Sequence, residues 1–299
     1  MTSPIVVVTG ANGLVGSHVV AALAERGARV RAVVRRVGTA PDLSGVEEHV
    51  GDFGDPAFAA QVVAGSDVLV TTVHPLGGDR DEQRRIGLDG TVTIVEAATG
   101  AGVPLVVHVS TAGVYARTPE TGDVSEDSAL VPDDANDYSV IKRDIDAALE
   151  RLGGTTRVLV RPPMILGPGD SSVWNTVHPA SVAEDESRRH AVPDATAAWV
   201  HVTDLAAITA DLATGAIPVR DDVSAGPVLG RCTPVNVAAG PATMRDYLGA
   251  VCDALGVEPV WDDEPAWTGQ IRADRAQGWG WSPKVSLDDA LAELRSGLR

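Results

Sequence analysis

The chain has 299 residues, 44% hydrophobic and 22% charged, and a formal net charge of −17. Those proportions are globular, and the length suits about two domains or one large α/β unit with an appendage. Two cysteines, Cys232 and Cys252, without CxxC or Cys/His spacing, argue against a disulfide framework and a metal site. So acidic a chain repels phosphate backbones, and no nucleic-acid partner is expected. No basic leader is visible and no run reaches the roughly eighteen apolar residues a bilayer demands, so a cytoplasmic protein without a membrane partner is expected.

Ile5–Thr9 reads as a continuous apolar strand and Gly13–Arg26 as a helix. Further strands are predicted over Arg29–Arg35, Val46–Gly51, Asp67–Thr72, Pro104–Ser110 and Arg157–Arg161. Val/Ile/Leu-rich strands separated by helix-length segments imply a parallel sheet buried on both faces, in a doubly wound α/β fold. After Arg161 the texture changes. Pro162–Arg189 opens with Pro162, Pro163, Gly167, Pro168 and Gly169 and reads as irregular loop, the kind of segment that is often functional. Helix resumes over Thr203–Leu212, and Thr243–Asp246 and Ser286–Asp289 resemble capping boxes with Asp in place of Glu. Trp261, Trp267, Trp279 and Trp281 are expected to pack a smaller C-terminal region.

Gly10, Gly13 and Gly16 are spaced three apart between the first strand and the first helix. Such glycines let the backbone turn tightly and approach a pyrophosphate, whose charge is met by N–H groups at the helix start. Gly10, Asn12, Gly13, Leu14, Val15 and Gly16 are therefore candidate dinucleotide contacts. An acidic residue at the end of strand two would bind the ribose of NAD; here Arg35 and Arg36 stand there, so NADP(H) is expected over NAD(H).

Lys142 and Lys284 are the only lysines, yet Tyr138 stands four residues before Lys142. Four apart on a helix is one face. An ammonium beside a phenol is expected to draw its pKa down from about 10, so that Tyr138 can exchange a proton with a carbonyl near neutral pH.

With these residues in hand, the sequence resembles the extended short-chain dehydrogenase/reductases, also called the NAD-dependent epimerase/dehydratase family. Nearly the whole chain carries the likeness: TGANGLVG at Thr9–Gly16, GDFGDP at Gly51–Pro56, VSTAGVYA at Val109–Ala116, YSVIK at Tyr138–Lys142, RPPMILGPG at Arg161–Gly169, WVHVTDLA at Trp199–Ala206 and GWSPKVSLDDAL at Gly280–Leu291. The resemblance implies a Rossmann-type domain over 1–165 plus about 200–235, with a smaller, discontinuous substrate domain over about 166–199 and 236–299. It implies Tyr138 as the acid/base residue, Lys142 as the residue holding the nicotinamide ribose, and Thr111 as the hydroxyl that binds the substrate oxygen. It also implies cofactor contacts at Asp52, Phe53, Thr72, Val73, Pro162 and Met164. His201 and Asp204 would anchor a strand-to-helix turn. Candidate substrate contacts are His74, Ala112, Gly113, Trp174 and His178.

Departures from the family matter too. Thr71–Pro75 replaces an HLAA-like run and puts His74 near the substrate mouth, and Gly87 stands where the family has asparagine. The stretch Val257–Trp267 lacks the arginine that would clamp a sugar-nucleotide diphosphate; only Arg231 or Arg272 could substitute. Many members of that family dimerise through the helix bearing the Tyr–Lys pair and the helix before the fifth strand. Val140, Ile141, Ile145, Ala148 and Leu149 would give Tyr138–Leu152 an apolar face for a homodimer, and Glu82–Thr99 is similar, although both helices must also cover the sheet. The expected activity is NADPH-dependent reduction of a small ketone or aldehyde. The alternatives are a nucleotide-sugar epimerase, dehydratase or 4-ketoreductase and, more remotely, a non-catalytic NADPH-sensing protein.

Overall fold

Uninterrupted apolar runs build the central sheet: Val6, Val7 and Val8 are all fully buried, because both faces of β1 (Ile5–Thr9) are covered. In the computed structural model, which describes residues 3–75 and 77–299, β1 leads into α1 (Leu14–Glu25), β2 (Arg29–Val34), β3 (Val46–Val50), α2 (Pro56–Val63), β4 (Val68–Thr71) and α3 (Arg80–Gln83). A π-helical segment, Arg84–Asp89, carries α3 directly into α4 (Gly90–Gly100), followed by β5 (Leu105–Val109), α5 (Asp137–Arg151) and β6 (Thr156–Arg161). Then come β7 (Met164–Leu166), α6 (His178–Glu184), β8 (His190–Ala191), β9 (Trp199–His201), α7 (Val202–Thr214) and β10 (Cys232–Asn236). The chain finishes with α8 (Met244–Leu255), β11 (Val260–Trp261), α9 (Asp274–Gly278) and α10 (Leu287–Gly297).

Seven parallel strands pair in the order β10-β6-β5-β4-β1-β2-β3. This is the Rossmann-type doubly wound sheet expected from the sequence. Chain order reverses between β1 and β4, and it is outside the strand C-termini at such a reversal that an α/β sheet opens a ligand crevice. Thr9 pairs with Thr71, Thr71 with His108 and His108 with Leu159, so β1, β4 and β5 end on one row and their exit loops emerge side by side. Helices α1 and α7 cover one face through Leu23, Leu205 and Ile208; α2, α4 and α5 cover the other through Val62, Ile94, Ile141 and Ile145. A separate, smaller core gathers Leu166, Trp199, Tyr247, Leu248 and Leu294.

Three expectations are corrected. Pro162–Arg189 is not irregular throughout: it holds β7, paired in parallel with β9, a π-helical turn at Val173–Val177 capped by Ser172, and α6. Pro162 and Pro163 stand ahead of β7, Pro168 just after it, and Pro179 in the first turn of α6, where a missing N–H costs little. The four tryptophans do not form one cluster: Trp279 and Trp281 join the main core with α1 and α7, Trp267 packs with Tyr115 and Ile271, and only Trp261 lies on the small core. Finally, Val140, Ile141, Ile145 and Leu149 are at most 2% exposed within the single chain, so of the five apolar residues expected to face a partner only Ala148 is left partly open. The expected capping box at Thr243 is present, with both reciprocal bonds to Asp246. At Ser286 the hydroxyl accepts the Asp289 N–H at 3.2 Å and donates to its carboxylate.

Between α5 and the sheet runs a buried polar chain. Arg161 on β6 donates from Nε to Asp146 Oδ2 at 2.9 Å and from Nη1 to the Tyr115 hydroxyl at 2.8 Å; Tyr115 donates to Asn236 Oδ1 at 2.8 Å. All four side chains are 5% exposed or less. Removing one partner of such a pair leaves the other charge stranded in low dielectric. Arg161→Leu is therefore expected to cost about 3–5 kcal/mol of stability, read from urea unfolding midpoints; a loss below about 1 kcal/mol would contradict the pairing.

Candidate active site

The loop from β1 into α1 is shaped by what its glycines lack. Gly10 has φ +68°, and a Cβ there would come within 2.9 Å of Thr72 Oγ1 and Val73 Cγ2. A Cβ on Gly16 would overlap the Gly10 carbonyl. Thr72 Oγ1 donates to the Thr9 carbonyl at 2.8 Å and ties the exit of β4 to that of β1. Helix α1 starts at Gly13 with no side-chain cap, so the first-turn N–H groups of Leu14, Val15 and Gly16 stay open to an external acceptor. A flush glycine surface and an uncapped helix start fit a pyrophosphate. Asn12 is exposed on the same loop.

Along the same sheet edge, Arg35 and Arg36 follow β2, both exposed, and neither guanidinium is engaged in an ion pair among the described residues. Asp52 spends Oδ1 on the Gly54 N–H at 2.9 Å, an Asx turn after β3. Phe53 is 6% exposed with its ring in the core against Gly90, so only its backbone is left for a ligand.

The reactive group assembles where β5 and α5 meet. Asn136 caps α5 by accepting the Ser139 N–H at 3.0 Å, and that start sets Tyr138 and Lys142 on one helix face. Beyond β5, Thr111 Oγ1 accepts the Gly113 N–H at 3.0 Å, forming the turn Ala112–Val114, and lies 3.4 Å from the Pro162 carbonyl. The Pro162 carbonyl also accepts the Ala112 N–H at 2.8 Å. Lys142 is 2% exposed; its Nζ donates to the Val109 carbonyl at 3.2 Å. Burial brings the Lys142 pKa down to about 8, against the pull of Asp146 one turn further along the helix.

The expected downward shift of the phenol is not what the site shows. Tyr138 leaves 39% of its surface exposed along the cleft, but the dense surroundings of its hydroxyl raise the pKa above 10. The Thr111 hydroxyl beside it works in the opposite direction, and Asp146 adds to the rise. Lys142, turned toward Val109, does not offset that rise.

His74 meets Tyr138 edge to face, ring centroids 4.5 Å apart at 84°. Burial first, and then the charge of Lys142, hold its pKa down at about 3. Behind it, His108 is buried, its Nδ1 bonded to Thr71 Oγ1 at 2.7 Å. Burial and Lys142 keep its pKa well below the usual range as well. Sequence reading did not single out His108 or Asp146. The signals were a lone polar residue inside the apolar strand LVVHV, and a carboxylate four residues past Lys142.

The later loops are arranged differently. Met164 packs partly buried on the small core. Trp174 and His178 do meet, but around Tyr247: ring centroids lie 5.4–5.6 Å apart, and the Tyr247 hydroxyl bonds His178 Nδ1 at 3.0 Å and the Trp174 carbonyl at 2.8 Å. His201 accepts the Thr203 N–H at the start of α7, and Asp204 accepts the N–H groups of Lys284 and Val285.

Residues 10–203 match a family described as NAD(P)H-binding. Over 171 residues the chain is 34% identical to sterol demethylase protein B of Methylococcus capsulatus, covering 54% of this chain and 52% of that protein. Over an alignment of the same length, 171 residues, it is 33% identical to ceramide reductase of Caulobacter vibrioides, covering 56% of this chain and 48% of that protein. The chain thus spans about half the length of these curated relatives. The structure of UDP-glucose-4-epimerase from Stenotrophomonas maltophila, with bound NAD and formylated UDP-arabinopyranose, matches with a TM-score of 0.77 at 18% identity, covering 99% of this chain and 98% of that one. At that identity the likeness is one of fold. No helix among the described residues is long and apolar enough to cross a membrane.

Folded His74 takes a proton only near pH 3, whereas the unfolded chain takes it near 6.5. Between those values the unfolded state binds more protons, so stability falls as pH is lowered through the window. His74→Phe is expected to shrink the loss in unfolding free energy between pH 7 and pH 5 by about 1–2 kcal/mol. An identical loss in variant and wild type would show that His74 titrates freely.

Proposed function

We propose, on the premise that this chain belongs to the NAD(P)H-binding family, that it reduces a ketone or aldehyde to an alcohol with NADPH, Tyr138 serving as proton donor. The observation that carries this reading is Tyr138 beside Thr111 at the C-terminal end of β5, with Lys142 on the same helix face and bonded to the Val109 carbonyl. A relative named a reductase supports it. Arg35 and Arg36, exposed and without ion-pair partners among the described residues, support the choice of NADPH over NADH through its extra phosphate.

Bound NADPH supplies the hydride in such chemistry. Gly10, Gly13 and Gly16, with the N–H groups of Leu14 and Val15, would bind its pyrophosphate. The backbone at Thr72, Val73, Pro162 and Met164, with the turn at Asp52, would line the rest of the cleft. Thr111 Oγ1 orients the carbonyl oxygen, and Tyr138 Oη delivers the proton to it. A phenol is protonated at neutral pH and so has the proton to give, and its upward shift here makes it the weaker acid. Lys142 Nζ, anchored on the Val109 carbonyl, keeps positive charge beneath the reacting centre as the phenol loses its proton. His74 forms an uncharged wall of the substrate mouth, beside Ala112 and Gly113.

The small core of β7, β9, α6, α8 and α10 would close the far side of the cleft as a substrate domain, with Trp174 and His178 facing the substrate. A diphosphate-linked sugar is disfavoured: Arg272 is committed to Asp274 at 3.0 Å and Asp123 at 3.5 Å, Arg231 stands before the N-terminal end of β10, opposite the strand C-termini, and Val257–Trp267 has no arginine.

With purified protein and a panel of carbonyl compounds, NADPH oxidation is expected to outpace NADH oxidation. Tyr138→Phe should lower kcat by about 10²–10⁴-fold while NADPH binding persists. Equal or better use of NADH would overturn the cofactor assignment, and an unimpaired Tyr138→Phe the catalytic one.

A further inference from the structure

The turn after β2 is held by a carboxylate from the neighbouring strand. Glu48, on the edge strand β3 and paired with Ala32 of β2, accepts the Gly38 N–H through Oε1 at 2.9 Å. Its Oε2 accepts the Thr39 and Ala40 N–H groups, both at 3.0 Å. Thr39 Oγ1 closes the turn from the other side by donating to the Arg36 carbonyl at 2.7 Å, and Ala40 packs against the main core. Three successive backbone N–H groups converging on one point form a nest for an anion. Here the anion is part of the chain.

Two consequences follow. The amides of Gly38, Thr39 and Ala40 are occupied, so a phosphate arriving at this edge is left to Arg35 and Arg36. Those two residues also precede a turn that is already folded back on the sheet, so less conformational freedom is lost when their guanidinium groups close on a ligand.

We infer that Glu48 is a positioning residue for cofactor choice, holding the Val37–Ala40 turn so that Arg35 and Arg36 present a formed site to the 2′-phosphate of NADPH. The inference rests on the NADP(H) reading above. Because NADPH and NADH differ only in that phosphate, the effect of Glu48 falls on NADPH alone.

The test is fluorescence titration of the full chain with NADPH and with NADH, which needs no substrate. Glu48→Ala is expected to raise the Kd for NADPH about fivefold or more and to leave that for NADH within about twofold. Glu48→Gln, which retains an acceptor oxygen, should fall between wild type and Glu48→Ala. Wild-type protein binding NADPH no more tightly than NADH would remove the NADP(H) reading and this inference with it. Wild-type protein that prefers NADPH, with Glu48→Ala weakening both cofactors equally or neither, would overturn the inference alone.

Discussion

Keeping the Lys142 ammonium inside the chain is the constraint around which the rest of the site is arranged. A cation taken out of water loses several kcal/mol of solvation and must recover it from fixed partners. One is a strand-end carbonyl, Val109; the other is a carboxylate on the next helical turn, Asp146. That carboxylate is itself buried and needs Arg161, Arg161 needs the Tyr115 hydroxyl, and Tyr115 needs Asn236, so one reactive side chain entails a line of compensations from α5 across β6 to β10. Burial first, and then the same charge, keep His74 and His108 neutral beside it.

The backbone imposes its own constraint. Strands β1, β4 and β5 end on one row, so the glycine loop, the Thr72–Pro75 segment and the Thr111 turn leave the sheet as neighbours although they are far apart in sequence. Thr72 illustrates the economy of this arrangement. Its hydroxyl is spent on the Thr9 carbonyl, while its side chain fills the space that glycine leaves at positions 10 and 16. A methyl group on Gly10 would press on the exit of β4, and one on Gly16 would run into the Gly10 carbonyl of the same loop.

What could be read in the sequence was local. Apolar strands, the glycine spacing and a Tyr–Lys pair four apart each sit within a few residues, and the structure has them within a residue or so of their expected limits. What could not be read depends on partners distant in sequence. Strand β10 contains Pro234, which reads as a breaker; it is tolerated because β10 is the sheet's edge strand. Strand β7 has only three residues and exists because β9 lies beside it. Trp279 and Trp281 look like small-domain residues by position, yet the chain returns there to the α1–α7 layer, where the Trp281 indole donates to the Asp204 carbonyl at 3.1 Å. The phenol's pKa was misjudged for a related reason: four-residue spacing puts the ammonium and the ring on one face, but burial of the hydroxyl depends on everything packed around it.

The balance of charge makes the same point about scale. A net charge of −17 would seem hostile to an anionic dinucleotide, but fields between exposed charges fade over about 8 Å at physiological ionic strength. The charge at the strand ends is local: two guanidinium groups after β2 with no ion-pair partner among the described residues, a buried ammonium bonded to β5, and a helix start with its N–H groups uncapped. Two carboxylates of that edge are spent on backbone, Glu48 on the turn after β2 and Asp52 on Gly54. An acidic chain can thus present a cationic edge without reducing its total negative charge, by satisfying with its own amides the carboxylates that would otherwise oppose the ligand.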